Sequence, residues 1–343
     1  MLRIASILSL LGAVTIAAPA AASAPVRVIA TNPVLLDWVV QVGGDAVVAQ
    51  LAGAAGDFHN YDPTPADLRR IAQAELVFAN GAGLEPWLDR LYQSSGARAR
   101  RLDASTGLPL MPAGATLRLV PGIAGEPLPP CCAAEAKPGE GGVEMTVQVI
   151  APAHAHHEAH EGPCDHGGMD PHLWLDPRLA QGVITVLADV LGELRPELAE
   201  AFGARADAYA AQLAQLDRWI EGELAAIPTE RRVLVSYHHA FGYFARRYRL
   251  ALPGSLLGSV HSEAREPGAR AAAAFVGFIR DHRLPAIFGE QGQDDRLLRE
   301  LGRSAGVPVA WLYAEALPAA EPSYIGLLRH NTVAIRDALA PAR

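Results

Sequence analysis

The sequence predicts an α/β protein of two lobes, each a parallel sheet flanked by helices, joined by one long rigid helix. Three observations carry that prediction. Short apolar runs alternate with amphipathic segments, as strands and crossover helices do in parallel sheets. The 343-residue chain is long enough for two domains of ~100–200 residues each. The stretch from Pro196 to about Ala226 is an unbroken helical pattern, with Phe202, Ala206, Tyr209, Leu213, Leu216, Ile220 and Leu224 at three- and four-residue spacing. At ~1.5 Å per residue it would extend ~45 Å, the length of two lobes. Pro196 opens it and Pro228 follows its end.

Taken in order, the chain begins with a leader. Arg3 supplies a short positive region, Ile4 to Ala18 is apolar, and both Ala20-Ala21-Ala22 and Ala22-Ser23-Ala24 read as A-x-A cleavage sites. A membrane-spanning anchor needs ~20 apolar residues, more than this run supplies. No cysteine lies near the cleavage region, so the mature chain is expected to be free in the periplasm. Val26–Ala30 then reads as a strand, and Thr31-Asn32-Pro33 as a turn that caps a helix. Pro63–Ala74 reads as a helix, Glu75–Asn80 as a buried strand, Gly81–Gly83 as a turn and Glu85–Tyr92 as helical. From about Thr116 to Met169, Pro129-Pro130, Pro138-Gly139 and Gly141-Gly142 break any periodicity before a histidine-rich tract. Such an insertion buries little and is expected to be mobile. Beyond the long helix, Arg232–Tyr237, Ala286–Glu290 and Val307–Leu312 read as strands, and Tyr324–Leu339 as a final helix. The predicted division is leader 1–24, first lobe 25–195 with the insertion at about 116–169, connecting helix 196–227 and second lobe 228–343.

The chain carries 37 acidic and 29 basic residues, a formal net charge of −8. Nucleic acid is not an expected partner, because phosphate contacts need clustered Lys and Arg; a cation is compatible with this balance. The cysteines are Cys131, Cys132 and Cys164. In an oxidising compartment either of the first two can pair with Cys164, leaving one thiol over. Their scarcity argues against a thiolate metal site.

Four segments carry candidate chemistry: Gly56–Pro65, Asp170–Pro177, Ser236–Phe244 and Leu312–Leu317. Each falls at or near the C-terminal end of a predicted strand, the edge where open α/β sheets bind ligands. Taken singly, none of their histidines is distinguishable from a surface or structural one, and the spacing matches no compact zinc arrangement.

Together these segments carry a resemblance. The run His59-Asn60-Tyr61-Asp62-Pro63-Thr64-Pro65-Ala66-Asp67 leads into Leu76–Gly81 and then Gly83-Leu84-Glu85-Pro86-Trp87-Leu88. It resembles the metal-binding solute-binding proteins of zinc and manganese ABC importers. The blocks Asp170–Pro177 and His238–Phe244 and the closing helix from Tyr324 to Asn331 resemble the same family, in order, over nearly the whole mature chain outside 116–169. The resemblance implies His59, His172 and His238 as ligands, and Glu315 stands where an aspartate usually supplies the fourth. Imidazole suits zinc at ~2.0–2.1 Å, and a carboxylate completes a tetrahedral shell. Three neutral imidazoles, one carboxylate and the ion sum to about +1.

There are departures from the family pattern. Asp62 replaces a glutamate, His239 replaces an aspartate that commonly follows the third ligand, and Glu315 is one methylene longer than the usual aspartate. His239 is therefore a rival to His238. Water, or Glu290 acting from behind the ligands, is the alternative to direct coordination by Glu315. Histidine rather than glutamate as third ligand favours zinc over manganese, which suits carboxylate-rich sites.

His154, His156, His157, His160 and His166 form a separate tract, similar to a loop that such proteins often carry between the first two ligands. It reads either as a solvated loop without a site or as low-affinity zinc capture that hands ions to the cleft. Both kinds of site are expected to weaken in acid, because imidazole binds metal only when neutral and its ordinary pKa is ~6.5. His261, His282 and His330 are expected to be structural or exposed.

The function implied is that of a periplasmic carrier and not an enzyme. A monomer holds one Zn2+ between its lobes, closes slightly, and docks on an ABC transporter permease served by a cytoplasmic ATPase. The alternatives are a manganese-binding importer component, a periplasmic zinc buffer without a transporter, and a secreted zinc hydrolase with an open fourth position. Nothing in the sequence resembles the H-E-x-x-H hydrolase signature.

Overall fold

A computed structural model describes residues 24–52, 58–59, 61–113, 115–122, 144–150, 168–236, 239–253, 269–292 and 296–341. In the first lobe, β1 (Val26–Ala30), α1 (Pro33–Gly43), β2 (Val47–Leu51), α2 (Pro65–Gln73), β3 (Leu76–Ala79), α3 (Leu88–Ser95) and β4 (Arg100–Asp103) alternate along the chain. The strands form one parallel sheet in the order β2-β1-β3-β4. Side-chain alternation sorts the two central strands between two cores. Val26, Val28, Leu76 and Phe78 enter the main one, while Ile29, Val77 and Ala79 join Ile71, Leu88 and Leu91 on the opposite face.

Helix starts are chemically marked. Asn32 accepts from Leu35 N–H ahead of Pro33, and Thr64 and Asp67 form a reciprocal capping box around the start of α2. Strands β2 and β4 have no counterpart in the sequence prediction. Both are sheet edges, where burial on two faces is not required, and β4 reads Arg-Arg-Leu-Asp.

Within the segment predicted to lack periodicity, β5 (Thr116–Gly122) and β6 (Glu144–Ile150) form an antiparallel ladder. Leu117 N–H donates to Leu252 O at 2.8 Å and Leu252 N–H to Leu117 O at 2.9 Å, so this hairpin pairs with a segment distant in sequence. Then come α4 (Pro177–Leu194) and α5 (Ala199–Leu224), the latter entered through a 3-10 turn over Pro196–Leu198.

The second lobe contains α6 (Gly242–Arg247), α7 (Ala269–Asp281), β7 (Ile287–Glu290), α8 (Arg296–Ala305), β8 (Val309–Leu312) and α9 (Tyr324–Leu339). β7 and β8 are parallel. Among the described residues, the predicted strand at 232–237 pairs at single points, Val233 with Ala251 and Ser236 with Phe288.

Helix α5 has 26 residues and spans ~39 Å at 1.5 Å per residue. It packs along α4 and against α1 and α9. One core therefore runs from β1 and α1 through α4 and α5 to Phe241, Phe244, Leu312 and Leu327. Close packing across both lobes resists their relative rotation.

Asp217 of α5 adds polar fixings, accepting from Arg247 at 2.6 Å, Tyr248 at 3.0 Å and Arg178 at 3.1 Å. Burial pushes its carboxyl up, but the two guanidiniums and the phenol outweigh this and hold it below the ordinary value. Among the described residues no helix is long and apolar enough to cross a membrane.

Candidate metal centre

The crossovers from β1 and β3 run to opposite sides of the sheet, to β2 and β4. In such sheets ligands bind in the crevice outside the carboxyl ends of the strands at this switch point. Glu85 organises that edge, accepting from the Thr31 hydroxyl, from Asn80 N–H at 2.8 Å and from Gly81 N–H at 3.1 Å. Burial pushes its carboxyl above the ordinary value, and these donors only partly counter it. Gly81 adopts a φ of 74°, in the left-handed region that favours glycine. Asn80 Nδ2 then donates to Pro171 O at 2.9 Å, fastening the turn that carries His172 to the sheet.

His59 follows β2 and is fixed on both sides. The Trp87 indole donates to Phe58 O at 2.8 Å, and Phe58 itself is buried. Tyr61 donates to Asp67 Oδ2 at 2.6 Å. Burial, with the Asp67 carboxylate beside it, pushes the Tyr61 phenol up to about 12.

His172 is fully buried. Its Nδ1 lies 2.8 Å from Asp170 Oδ1, which also accepts from the His172 backbone N–H at 3.0 Å. A carboxylate on Nδ1 places the proton there and leaves Nε2 as the electron-pair donor, the arrangement a metal-binding imidazole needs. Asp170 is held from the second lobe: the Tyr243 hydroxyl donates to its carbonyl at 2.8 Å and accepts from Met111 N–H at 3.0 Å. A Cβ on Gly242 would lie 2.7 Å from Asp170 Oδ2, so only glycine allows this approach.

Glu315 comes from the second lobe, just beyond β8. Its Oε1 lies 3.4 Å from His59 Nε2 and 3.9 Å from His172 Nε2. The three candidate ligand atoms all fall within 4.8 Å of one another. A tetrahedral shell with ~2.0–2.1 Å bonds spaces its donors ~3.4 Å apart. The first gap already has that value and the second needs a contraction of about 0.5 Å.

The structure thus brings His59, His172 and Glu315 to one point. His238 lies outside the described residues, as do His154, His156, His157, His160, His166, His261, the three cysteines and residues 1–23. His239 and Glu290 are buried, at the carboxyl ends of the 233–236 segment and of β7, and neither belongs to the group of three. His282 pairs through Nδ1 with Phe278 O, and His330 through Nε2 with Trp311 O. Sequence reasoning gave no role to Asp170, Asn80, Trp87 or Trp174. Only Asp170 carried a usable signal, an acid two residues ahead of a candidate ligand histidine with proline between.

The model of the family described as zinc-uptake complex component A periplasmic (ZnuA) matches residues 28–338. The chain belongs to this family. Zinc-binding protein TroA of Treponema pallidum is 28% identical over 331 residues, covering 94% of this chain and 91% of that protein. Manganese-binding lipoprotein MntA of Halalkalibacterium halodurans is 24% identical over 310 residues, covering 89% and 85%. The solved structure of periplasmic zinc-binding TroA from T. pallidum superposes with a TM-score of 0.70 at 24% identity, over 92% of this chain and 100% of that one. The ZnuA-family fold, two lobes with a long connecting helix, is the one described above.

Proposed function

We propose that this ZnuA-family protein captures Zn2+ in the periplasm, holds it between its lobes and delivers it to an ABC-type permease with its cytoplasmic ATPase. The observation that carries this reading is the convergence of His59 and His172 from one lobe with Glu315 from the other. His238 is assigned as the remaining ligand. Zinc is preferred to manganese because imidazoles dominate the donor set, whereas manganese suits oxygen-rich sites. Relatives named for manganese make it the alternative cargo. No catalytic residue is assigned: Glu315 fills the position that a hydrolytic zinc would leave open for water.

Competitive zinc and manganese titration of the metal-stripped mature protein tests the reading, alongside a variant lacking residues 150–168. One tight zinc site that survives the deletion, and is lost in His59→Ala or His172→Ala, is the expected result. Tight binding that disappears with the deletion would move the function to the histidine tract. Tighter manganese than zinc would overturn the cargo.

A further inference from the structure

Given the zinc-capturing role proposed above, we propose that Trp174 is a positioning residue of the centre, a latch that holds the Glu315 loop of the second lobe against the His172 turn of the first. Trp174 stands two residues after His172, in the 3-10 turn Leu173–Leu175, and is 1% exposed. Its indole meets the His172 ring edge-on, with centroids 5.3 Å apart at 62°. Its Nε1 donates across the lobes to the carbonyl of Ala314 at 2.8 Å, the residue immediately before Glu315. Its own carbonyl accepts from the hydroxyl of Tyr324, the first residue of α9, at 2.5 Å. Asn331 of α9 grips the preceding residue, accepting from Tyr313 N–H at 2.8 Å and donating to Tyr313 O at 2.7 Å.

The backbone carbonyls of both residues ahead of Glu315 are therefore fixed, one by its own lobe and one by the turn that carries a ligand in the other. An indole N–H is a donor only, and a buried one left without an acceptor is costly, so the bond selects this single placement of Ala314. Glu315 has one more rotatable bond than an aspartate would, and its carboxylate needs a firmly placed backbone to return to one position. The same indole that packs on one ligand ring sets the origin of the other ligand's side chain.

A double-mutant cycle tests this. Zinc affinity is measured by chelator competition for the unaltered full chain, Trp174→Phe, Glu315→Ala and the double variant, with thermal melts of each. Phenylalanine keeps an aromatic ring but loses the N–H donor and part of the buried indole's bulk; the melts register the packing loss, and the cycle isolates the part that depends on Glu315. Trp174→Phe is expected to weaken zinc ~10-fold when Glu315 is present, the lower end of the range for outer partners of a metal site. In the Glu315→Ala background the loss is expected to shrink below ~2-fold, the scatter of independent sites. Equal losses in both backgrounds, or none in either, would overturn the latch. Weaker zinc in Glu315→Ala with no change in Trp174→Phe would overturn the latch alone. No effect of Glu315→Ala would overturn both the latch and the place of Glu315 in the proposed centre. If Trp174→Phe does not fold, hydrogen exchange of the Trp174 indole N–H in the unaltered zinc-loaded protein decides: strong protection is expected, and exchange at the rate of an exposed indole would overturn the bond.

Discussion

In the first lobe four parallel strands pair in a continuous sheet, and both imidazoles stand on segments bolted to it, Phe58 by Trp87 and Pro171 by Asn80. In the second lobe, among the described residues, only β7 and β8 form a ladder; Ser236 bridges singly to Phe288 of β7, and Val233 singly to Ala251. Glu315 there is steadied by a helix and by a tryptophan from the other lobe. The first lobe is thus a platform of two candidate histidines, and the second brings Glu315, whose placement depends on contact between lobes, together with the proposed His238. A binding protein that must also let go has reason to divide its ligands this way, since parting the lobes would strip the proposed second-lobe ligands and leave the two-histidine platform whole.

The largest expected break in this contrast comes from the ligands themselves. His172→Ala should weaken zinc more than ~1,000-fold, beyond the 10–100-fold typical of losing an outer partner, while Glu315→Ala should cost only tens of fold; isothermal titration with a competing chelator measures both. Next is the fastening of the connecting helix. Asp217→Asn leaves the Arg247 guanidinium, largely buried, without its carboxylate and should cost about 3 kcal/mol in urea unfolding.

The pH dependence of that effect has a definite sign. Asp217 is held below the ordinary carboxylate value, so its stabilisation is complete above the unfolded pKa of ~3.9 and is lost as pH falls through the lower folded value. Across that window stability should fall more steeply with falling pH for the unaltered chain than for Asp217→Asn, as urea unfolding at a series of pH values would show. Asp170→Ala should lower zinc affinity ~30-fold, and Asp170→Asn, which keeps an acceptor for Nδ1–H, markedly less. Nitrogen-15 shifts of the His172 ring would show the tautomer released in the alanine variant only. The smallest effect is expected at Trp87→Phe, which removes the bond to Phe58 O and should cost about 1 kcal/mol of stability with a few-fold loss of zinc.

Local chemistry made much of this architecture legible in advance. The run around Phe202 to Leu224 marks α5, proline and capping residues mark α1 and α2, and apolar runs mark β1 and β3, which are buried on both faces. Edge strands escaped because their environment does not demand an apolar sequence. The β5–β6 pairing with Leu252 escaped because it is set by partners more than a hundred residues away. At the centre, motif order singled out His59, His172 and Glu315, which the structure brings together. Their supports were not legible, because an indole donating to a backbone carbonyl 140 residues distant leaves no pattern in the chain.

Helix α9 sets the timetable of assembly. The backbone N–H of Tyr324 donates to Asp37 Oδ2 at 3.1 Å, and its ring lies edge-on to Trp38 with centroids 5.2 Å apart. Those partners are 287 and 286 residues earlier in the chain, both in α1. A polypeptide emerging from its N-terminus has its sheet and both platform histidines long before this contact is available. Closing so long a loop is slow, and until it closes Tyr324 has not reached the carbonyl of Trp174. The proposed ion site is therefore expected to be among the last parts of the protein to mature, and a chain cut short before α9 to keep its candidate histidines but bind zinc more loosely.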